Sequence, residues 1–206
     1  MNRSKKQGIA LMTFGVLVLA VAFSMVISNI FSEKKAERSF DVAIQLSEIE
    51  ESARNEKTTA ENEIPAYILN PAKDLPTKEI DGEIYIGRIE LHTLDLSLPV
   101  LAELDSEKLT VAPCRYKGSP YSGDFIIGAH NYRSHFSYID ELSGGDKITF
   151  TDVEGNSFEY EVVGLEYLEE TDTELMEAGD WDMTIFTCTY DSQRRITVRT
   201  KMIKQE

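Results

Sequence analysis

The sequence is poor in cysteine and in basic side chains. Only two of its 206 residues are cysteines, Cys114 and Cys188, which excludes a disulfide-dense scaffold and a zinc site built from several cysteines. Lysine and arginine together number 21 against 36 aspartates and glutamates, giving a formal net charge of −15. Because nucleic-acid binding depends on clustered basic side chains, this balance predicts no nucleic-acid partner. The acidic stretches also lack the alternating spacing of a calcium-binding loop, so we expect no metal ion and no other cofactor.

The longest apolar run lies near the N-terminus. Residues 8–31 read GIALMTFGVLVLAVAFSMVISNIF without a charge, and a membrane-spanning helix needs about 20 such residues. A cleaved signal peptide is the alternative, but its apolar region usually has about 7–15 residues. We therefore predict an uncleaved single-pass anchor over residues 8–31. Basic residues flank it equally on both sides, so charge alone does not fix its orientation. The short tail of residues 1–7 and the large acidic body favour a cytoplasmic tail and an external body.

Residues 32–79 form a predicted stalk or linker. The stretch is dense in charged residues and holds no glycine or proline before Pro65, which favours a helical stalk, with a charged, solvated linker as the alternative. Three prolines between residues 64 and 76 then predict an extended segment.

Residues 80–206 have the pattern of a mostly β domain. Their apolar and polar residues alternate in short runs separated by turn residues, and roughly seven or eight such strands are typical of a closed barrel or a sandwich. The predicted strands cover residues 84–91, 94–100, 124–130, 147–151, 157–168, 183–188 and 195–203.

Three side chains at predicted strand ends could carry chemistry. Cys188 ends the apolar run TIFTC, His130 ends the run IIGAH, and Arg195 opens the last strand. A thiol becomes nucleophilic as thiolate, which a nearby histidine or arginine favours. A Cys–His pair could attack an acyl carbonyl, and an arginine could stabilise the developing oxyanion. Taken singly, each residue has a structural alternative: a buried cysteine, a histidine bonded to a loop carbonyl and an exposed strand arginine.

The remaining candidates are weaker. We expect Cys114 to be a packed, unpaired thiol on a loop rather than the disulfide partner of Cys188. His92 and His135 are expected on loops or on the surface.

The strand-end residues together resemble the motifs of sortases, membrane-anchored cysteine transpeptidases of mainly Gram-positive bacteria. TIFTC resembles the Thr-Leu-x-Thr-Cys motif of that family, with Ile185 in place of leucine. The segment around His130 resembles the histidine segment, with Ala129 in place of glycine, and Arg195 resembles the arginine that opens the last strand. The resemblance covers roughly residues 80–204 and implies an eight-stranded sortase-type β-barrel of class D-like or unassigned class. It also implies an extracellular catalytic domain on a single-pass cell-membrane anchor.

The resemblance implies an activity and roles for individual residues. A sortase cleaves an LPxTG-like sorting signal through a thioacyl enzyme and transfers the protein to an amine of a peptidoglycan precursor or to a pilin lysine. The nucleophile would be Cys188, the general acid and base His130, and the substrate or oxyanion ligand Arg195. Further substrate-binding candidates are Thr187, Arg194 and Asn131.

Two other functions stay open at this point. One is another cell-wall cysteine acyltransferase, such as an L,D-transpeptidase, although the His-Gly-Cys-Arg-like run of that family is not found around Cys188. The other is a membrane-tethered β-domain that binds a wall component or a partner protein. We also hypothesise that residues 64–79 lie across the substrate groove as a lid.

Overall fold

The computed structural model describes the backbone of residues 3–59 and 65–203 and the side chains of residues 11–27, 38–57 and 65–203. A long helix α1 (Arg3–Thr59) is followed by a short helix α2 (Ala66–Leu69), and a third helix α3 (Thr173–Glu177) lies late in the chain. The strands are β1 (Lys78–Ile80), β2 (Glu83–Leu91), β3 (Leu96–Leu101), β4 (Cys114–Lys117), β5 (Phe125–Gly128), β6 (Lys147–Asp152), β7 (Ser157–Glu169), β8 (Met183–Cys188) and β9 (Arg194–Met202).

Eight of these strands close into a barrel. The hydrogen-bonded order runs β2-β3-β4-β5-β8-β9-β7-β6, and β6 pairs back onto β2 to complete the ring. Strand β1 pairs only with the first residues of β2 and lies outside the ring. The prediction of a mostly β, closed eight-stranded barrel with short helices is therefore confirmed.

Strand alternation explains the barrel core. Successive side chains of a strand point to opposite faces, so Ile185 of β8 and Ile196 and Val198 of β9 point into the barrel, where they are buried. The residues between them face outward, and Phe186 there belongs to a separate apolar cluster. The last strands thus have one face in the core and one on the outer surface of the barrel.

The segment with three prolines, residues 65–76, is not wholly extended as predicted, because it contains the short helix α2. In α2, Tyr67 stacks on Tyr121 with ring centroids 4.8 Å apart and meets the edge of Phe158 at 5.3 Å. Phe158 lies at the start of β7, whose other end pairs with Arg195. These contacts hold the segment at the end of the barrel away from Cys188. The lid hypothesis is therefore wrong for this part of the chain.

The C-terminal half of α1 packs on the outside of the barrel. Residues 32–59 of the predicted stalk are helical, and Val42 and Leu46 are buried in an apolar cluster with Tyr85 of β2. Glu50 forms an ion pair with Arg88 of β2 at 2.9 Å. Burial raises the pKa of Glu50 to about 7 although Arg88 opposes this shift. The stalk and domain boundaries drawn from the sequence stay predictions.

The N-terminal half of α1 includes the predicted anchor. Within residues 11–27 the large hydrophobic side chains are exposed, Leu11 and Met12 for example at 75% each. In the part of the chain that the structure describes, no helix is both long and apolar enough to cross a membrane.

Candidate functional site

The site is assembled by three adjacent strands that end at the same rim of the barrel. Strand β5 runs parallel to β8 with Gly128 opposite Phe186, so His130, two residues further on, lies level with Cys188. Strand β9 runs antiparallel to β8 with Arg195 opposite Cys188. The fold therefore places Cys188 between His130 on one side and Arg195 on the other.

The side chains also share one face of the sheet. Because Ile185 and Ile196 point into the core, Cys188 and Arg195, each an odd number of residues away, point outward. Cys188, His130 and Arg195 are all half-buried. Next to Cys188 on this outer face is Phe186, buried in a cluster with Ile126, Leu168 and Met176. All four are only 4–7% exposed, so the outer face beside the half-buried thiol is a covered apolar cluster.

His130 lies in a group of three rings. Its ring centroid is 4.9 Å from that of Tyr132, which is 5.4 Å from that of His135. Partial burial lowers the pKa of His130, so its imidazole is neutral at neutral pH. His135 lies on a turn, as expected, but not on the surface: its exposure is 1%, and burial lowers its pKa to about 4. The nearby Val111 backbone opposes this pKa shift.

Burial of His135 arises from packing that local sequence does not reveal. By contrast, His92 is exposed, and its Nε2 lies 2.8 Å from Thr149 Oγ1, as expected of a loop residue.

The two candidate arginines differ in what they face. The Arg195 guanidinium carbon lies 5.4 Å from the ring centroid of Phe186, on the face that carries Cys188. The corresponding atom of Arg194 lies 5.1 Å from the ring of Tyr167, and Arg194 is exposed. Geometry therefore favours Arg195 as the arginine of the site.

Thr187 and Asn131 connect β8 to the end of β5. Thr187 is fully buried and donates a hydrogen bond from Oγ1 to the carbonyl of Ala129 at 2.9 Å. Asn131 donates from Nδ2 to the carbonyl of Cys188 at 2.9 Å. The Thr187 hydroxyl is thus engaged inside the barrel, which does not favour the predicted contact with substrate. The position of Asn131 favours a role in fixing the backbone of the thiol.

The second thiol is separate from this site. Both cysteines are free, as expected. Cys114 is fully buried in the cluster beneath α1, where its Sγ donates to the carbonyl of Ala112 at 3.3 Å. Burial raises the pKa of Cys114 to about 12. This thiol is therefore packed and protonated, whereas Cys188 is only half-buried.

The connection between β7 and β8 borders the outer face of the site. Residues 170–182, called the α3 segment below, place Met176 against Phe186. Glu177 accepts hydrogen bonds from Tyr116 at 3.1 Å and from Lys117 of β4 at 2.6 Å. Beneath the segment, Arg199 of β9 is buried. Within the described residues, no group of histidine, cysteine and acidic side chains could hold a metal ion.

A family model for the sortase domain matches residues 89–203, more than half of the chain. The chain belongs to the sortase family.

Solved sortases share its fold at low identity. Sortase C-1 from Streptococcus pneumoniae is 24% identical with a TM-score of 0.54, covering 59% of this chain and 68% of its own. Sortase A from Corynebacterium diphtheriae, a lid mutant, is 22% identical with a TM-score of 0.54, covering 79% and 96%. A Clostridium perfringens sortase D5 transpeptidase is 21% identical with a TM-score of 0.54, covering 76% and 99%. Among curated proteins there is no significant match.

As a sortase, the chain is a cysteine transpeptidase. Its two departures from the family motifs have a simple physical reason. Ala129 and Ile185 both point into the barrel core and are buried, where an aliphatic side chain of suitable size packs without reaching Cys188. Solved sortases of classes A, C and D share the fold, and the class of this sortase stays open.

Proposed function

We propose that this sortase cleaves an LPxTG-like sorting signal and transfers the protein to an amine, either of a peptidoglycan precursor or of a pilin lysine. The observation that carries the proposal is the strand register, which brings His130 and Arg195 to either side of Cys188. A sorting signal and an amine acceptor are the substrates that membership of the family implies in general.

In the first step the Cys188 sulfur attacks the carbonyl carbon of the threonine in the signal. His130 accepts the thiol proton and then gives it to the amine of the leaving glycine, so the peptide bond breaks as the thioester forms. The lowered pKa of His130 suits the first of these transfers, because a neutral imidazole can accept a proton. Arg195 donates hydrogen bonds to the oxyanion of the tetrahedral intermediate.

The second step reverses the first with a different amine. His130 takes a proton from the acceptor amine, which attacks the thioester carbonyl and forms a new amide bond. The thiol of Cys188 recovers its proton, and the enzyme is regenerated. Asn131 holds the carbonyl of Cys188 throughout, which keeps the nucleophile in place while the acyl group changes partner.

The test uses the full chain in detergent with a library of LPxTG-type peptides and triglycine as the amine. We expect intact-mass spectrometry to reveal an acyl adduct on the enzyme and a triglycine transfer product. Both should be absent from Cys188→Ala and present in Cys114→Ala, the matched control at a buried thiol. An adduct and product that persist in Cys188→Ala would contradict the assignment of the nucleophile. A wild-type enzyme that forms neither would favour a binding domain.

We further propose that residues 8–31 anchor the enzyme in the cell membrane with the barrel outside the cell. Support comes from the charge-free run itself and from the exposed apolar side chains within it, since exposed apolar surface of this extent marks contact with another apolar phase. The full chain should stay in the membrane fraction after alkaline carbonate and be released by detergent. Protease added to intact cells should digest the barrel; its protection would place the barrel inside.

A further inference from the structure

Arg199 is a buried cation that joins three parts of the chain. Its exposure is 3%, and its Nε donates to Glu166 of β7 at 2.6 Å. Nη1 donates to the hydroxyl of Thr184 on β8 at 3.0 Å. A charge buried to this degree is costly unless its donors are paired, so its position is set by these partners.

The other bonds of Arg199 reach the α3 segment. Nη1 and Nη2 donate to the carbonyls of Met176 and Leu175, each at 2.7 Å. Both carbonyls belong to the last turn of α3, where a helix leaves its carbonyl groups without partners of its own. A guanidinium is suited to this arrangement because its donors diverge in one plane. Arg199 thus fastens the α3 segment to two strands of the barrel.

The α3 segment borders the path that leads to the thiol. Phe186 lies two residues before Cys188 on the same face, in one buried apolar cluster with Met176. The ring of Tyr116 from β4 meets the edge of Phe186 at 5.9 Å. The segment also reaches β4, because Glu177 accepts hydrogen bonds from Tyr116 and Lys117, so a peptide bound at Cys188 and running along this face would meet the α3 segment.

We propose that Arg199 is a positioning residue that holds the α3 segment as a preformed wall of the substrate groove. The inference rests on the proposed function, because it takes the sorting-signal peptide as the ligand of the groove. Arg199 and Arg195 are four residues apart on the same face of β9. One strand therefore carries an arginine that meets the reacting atoms and another that shapes the surface binding the rest of the peptide.

A preformed wall contacts the peptide in both the ground state and the transition state, and loss of such contacts raises KM while kcat stays the same. We therefore expect Arg199→Met to raise KM for the signal peptide about tenfold and to change kcat less than about threefold. Hydrogen exchange should increase in residues 173–182 and stay unchanged in the rest of the barrel. Arg199→Lys keeps the positive charge but loses the planar set of guanidinium donors, so its KM should lie between those of the wild type and Arg199→Met.

Arg88 supplies the matched control. It too is an arginine paired with a glutamate and a hydroxyl, Glu50 at 2.9 Å and Ser97 at 3.1 Å, but it is half-buried and joins β2 to α1. Arg88→Met should increase exchange in α1 and leave KM for the peptide at the wild-type value. If Arg199→Met does not fold, Arg199→Lys carries the comparison.

The inference is overturned if Arg199→Met and Arg88→Met have the same KM, or if Arg199→Met lowers kcat at constant KM. It is also overturned if exchange in residues 173–182 is unaffected. Should the wild-type enzyme process no signal peptide, the proposed function fails, and with it the substrate part of this inference. The exchange measurement then still decides whether Arg199 fastens the segment.

Discussion

Gly128 is the position at which a single methyl group should disturb both the fold and the site. A Cβ built there would lie 2.6 Å from Cζ of Phe186 and 2.9 Å from Cδ1 of Leu104. Ordinary contacts between such carbon atoms are about 3.5–4.0 Å, so the Phe186 ring would have to move by about 1 Å. That ring is only 6% exposed and is packed among the residues of the outer cluster, which leaves it little room to do so.

The cost of Gly128→Ala follows from this crowding. Forcing an extra methyl group into a packed site typically costs about 1–3 kcal/mol. With a urea dependence of about 2 kcal/mol per molar, a loss of about 2 kcal/mol lowers the midpoint of unfolding by about 1 M. Because the guanidinium of Arg195 lies over Phe186, displacement of the ring should also lower kcat/KM, by about 10- to 100-fold.

The matched control is Gly164→Ala in β7, where a new Cβ meets nothing within 4 Å among the described residues. It should change stability by less than about 1 kcal/mol and leave peptide cleavage unchanged. Urea unfolding of the full chain can be followed by the fluorescence of the single tryptophan, Trp181. Equal midpoints for Gly128→Ala and Gly164→Ala would refute the argument from crowding.

Three further predictions concern thiols, positioning and pH. A methanethiosulfonate should label one thiol in the native wild type and none in Cys188→Ala, because Cys114 is buried with a raised pKa; labelling of native Cys188→Ala would contradict this. Asn131→Ala should lower kcat about tenfold with KM unchanged, since its bond to the Cys188 carbonyl positions the nucleophile; a rise in KM alone would instead indicate contact with substrate. Burial raises the pKa of Glu50 above the value it has in the unfolded chain, so between about pH 4.5 and pH 7 the folded protein binds a proton that the unfolded chain has lost. The free energy of unfolding should therefore fall as the pH rises through this range, by on the order of 3 kcal/mol. In urea denaturation, the free energy of unfolding of Glu50→Gln should not fall over this pH range. If it falls in parallel with that of the wild type, Glu50 is not the group responsible.

Some of the fold could be predicted because the responsible signals are local. Strand β8 has the predicted bounds, because its residues 183–188 form an apolar run and polar residues follow Cys188 directly. The four-residue strand β4 was missed because its residues after Cys114, Arg115-Tyr-Lys117, have the composition of a loop. Its place in the sheet depends on pairing with β5, which no local pattern reveals.

The candidate site, like the fold, could be predicted only where the signal is local. The ends of β5, β8 and β9 were marked by His130, Cys188 and Arg195, but only the pairing of β5 with β8 and of β8 with β9 makes them neighbours. Arg199 had the pattern of an exposed strand residue, because its partners on α3 and β7 lie far away in sequence.

The α3 segment is attached at two points that differ in their response to ionic strength. The ion pair between Glu177 and Lys117 is exposed, with side-chain exposures of 37% and 44%, so mobile ions screen it within a distance of about 8 Å at 0.15 M salt. The bonds from Arg199 to the carbonyls of α3 are buried and are screened much less. Added salt therefore loosens the side of the segment that faces β4 while the other side stays attached.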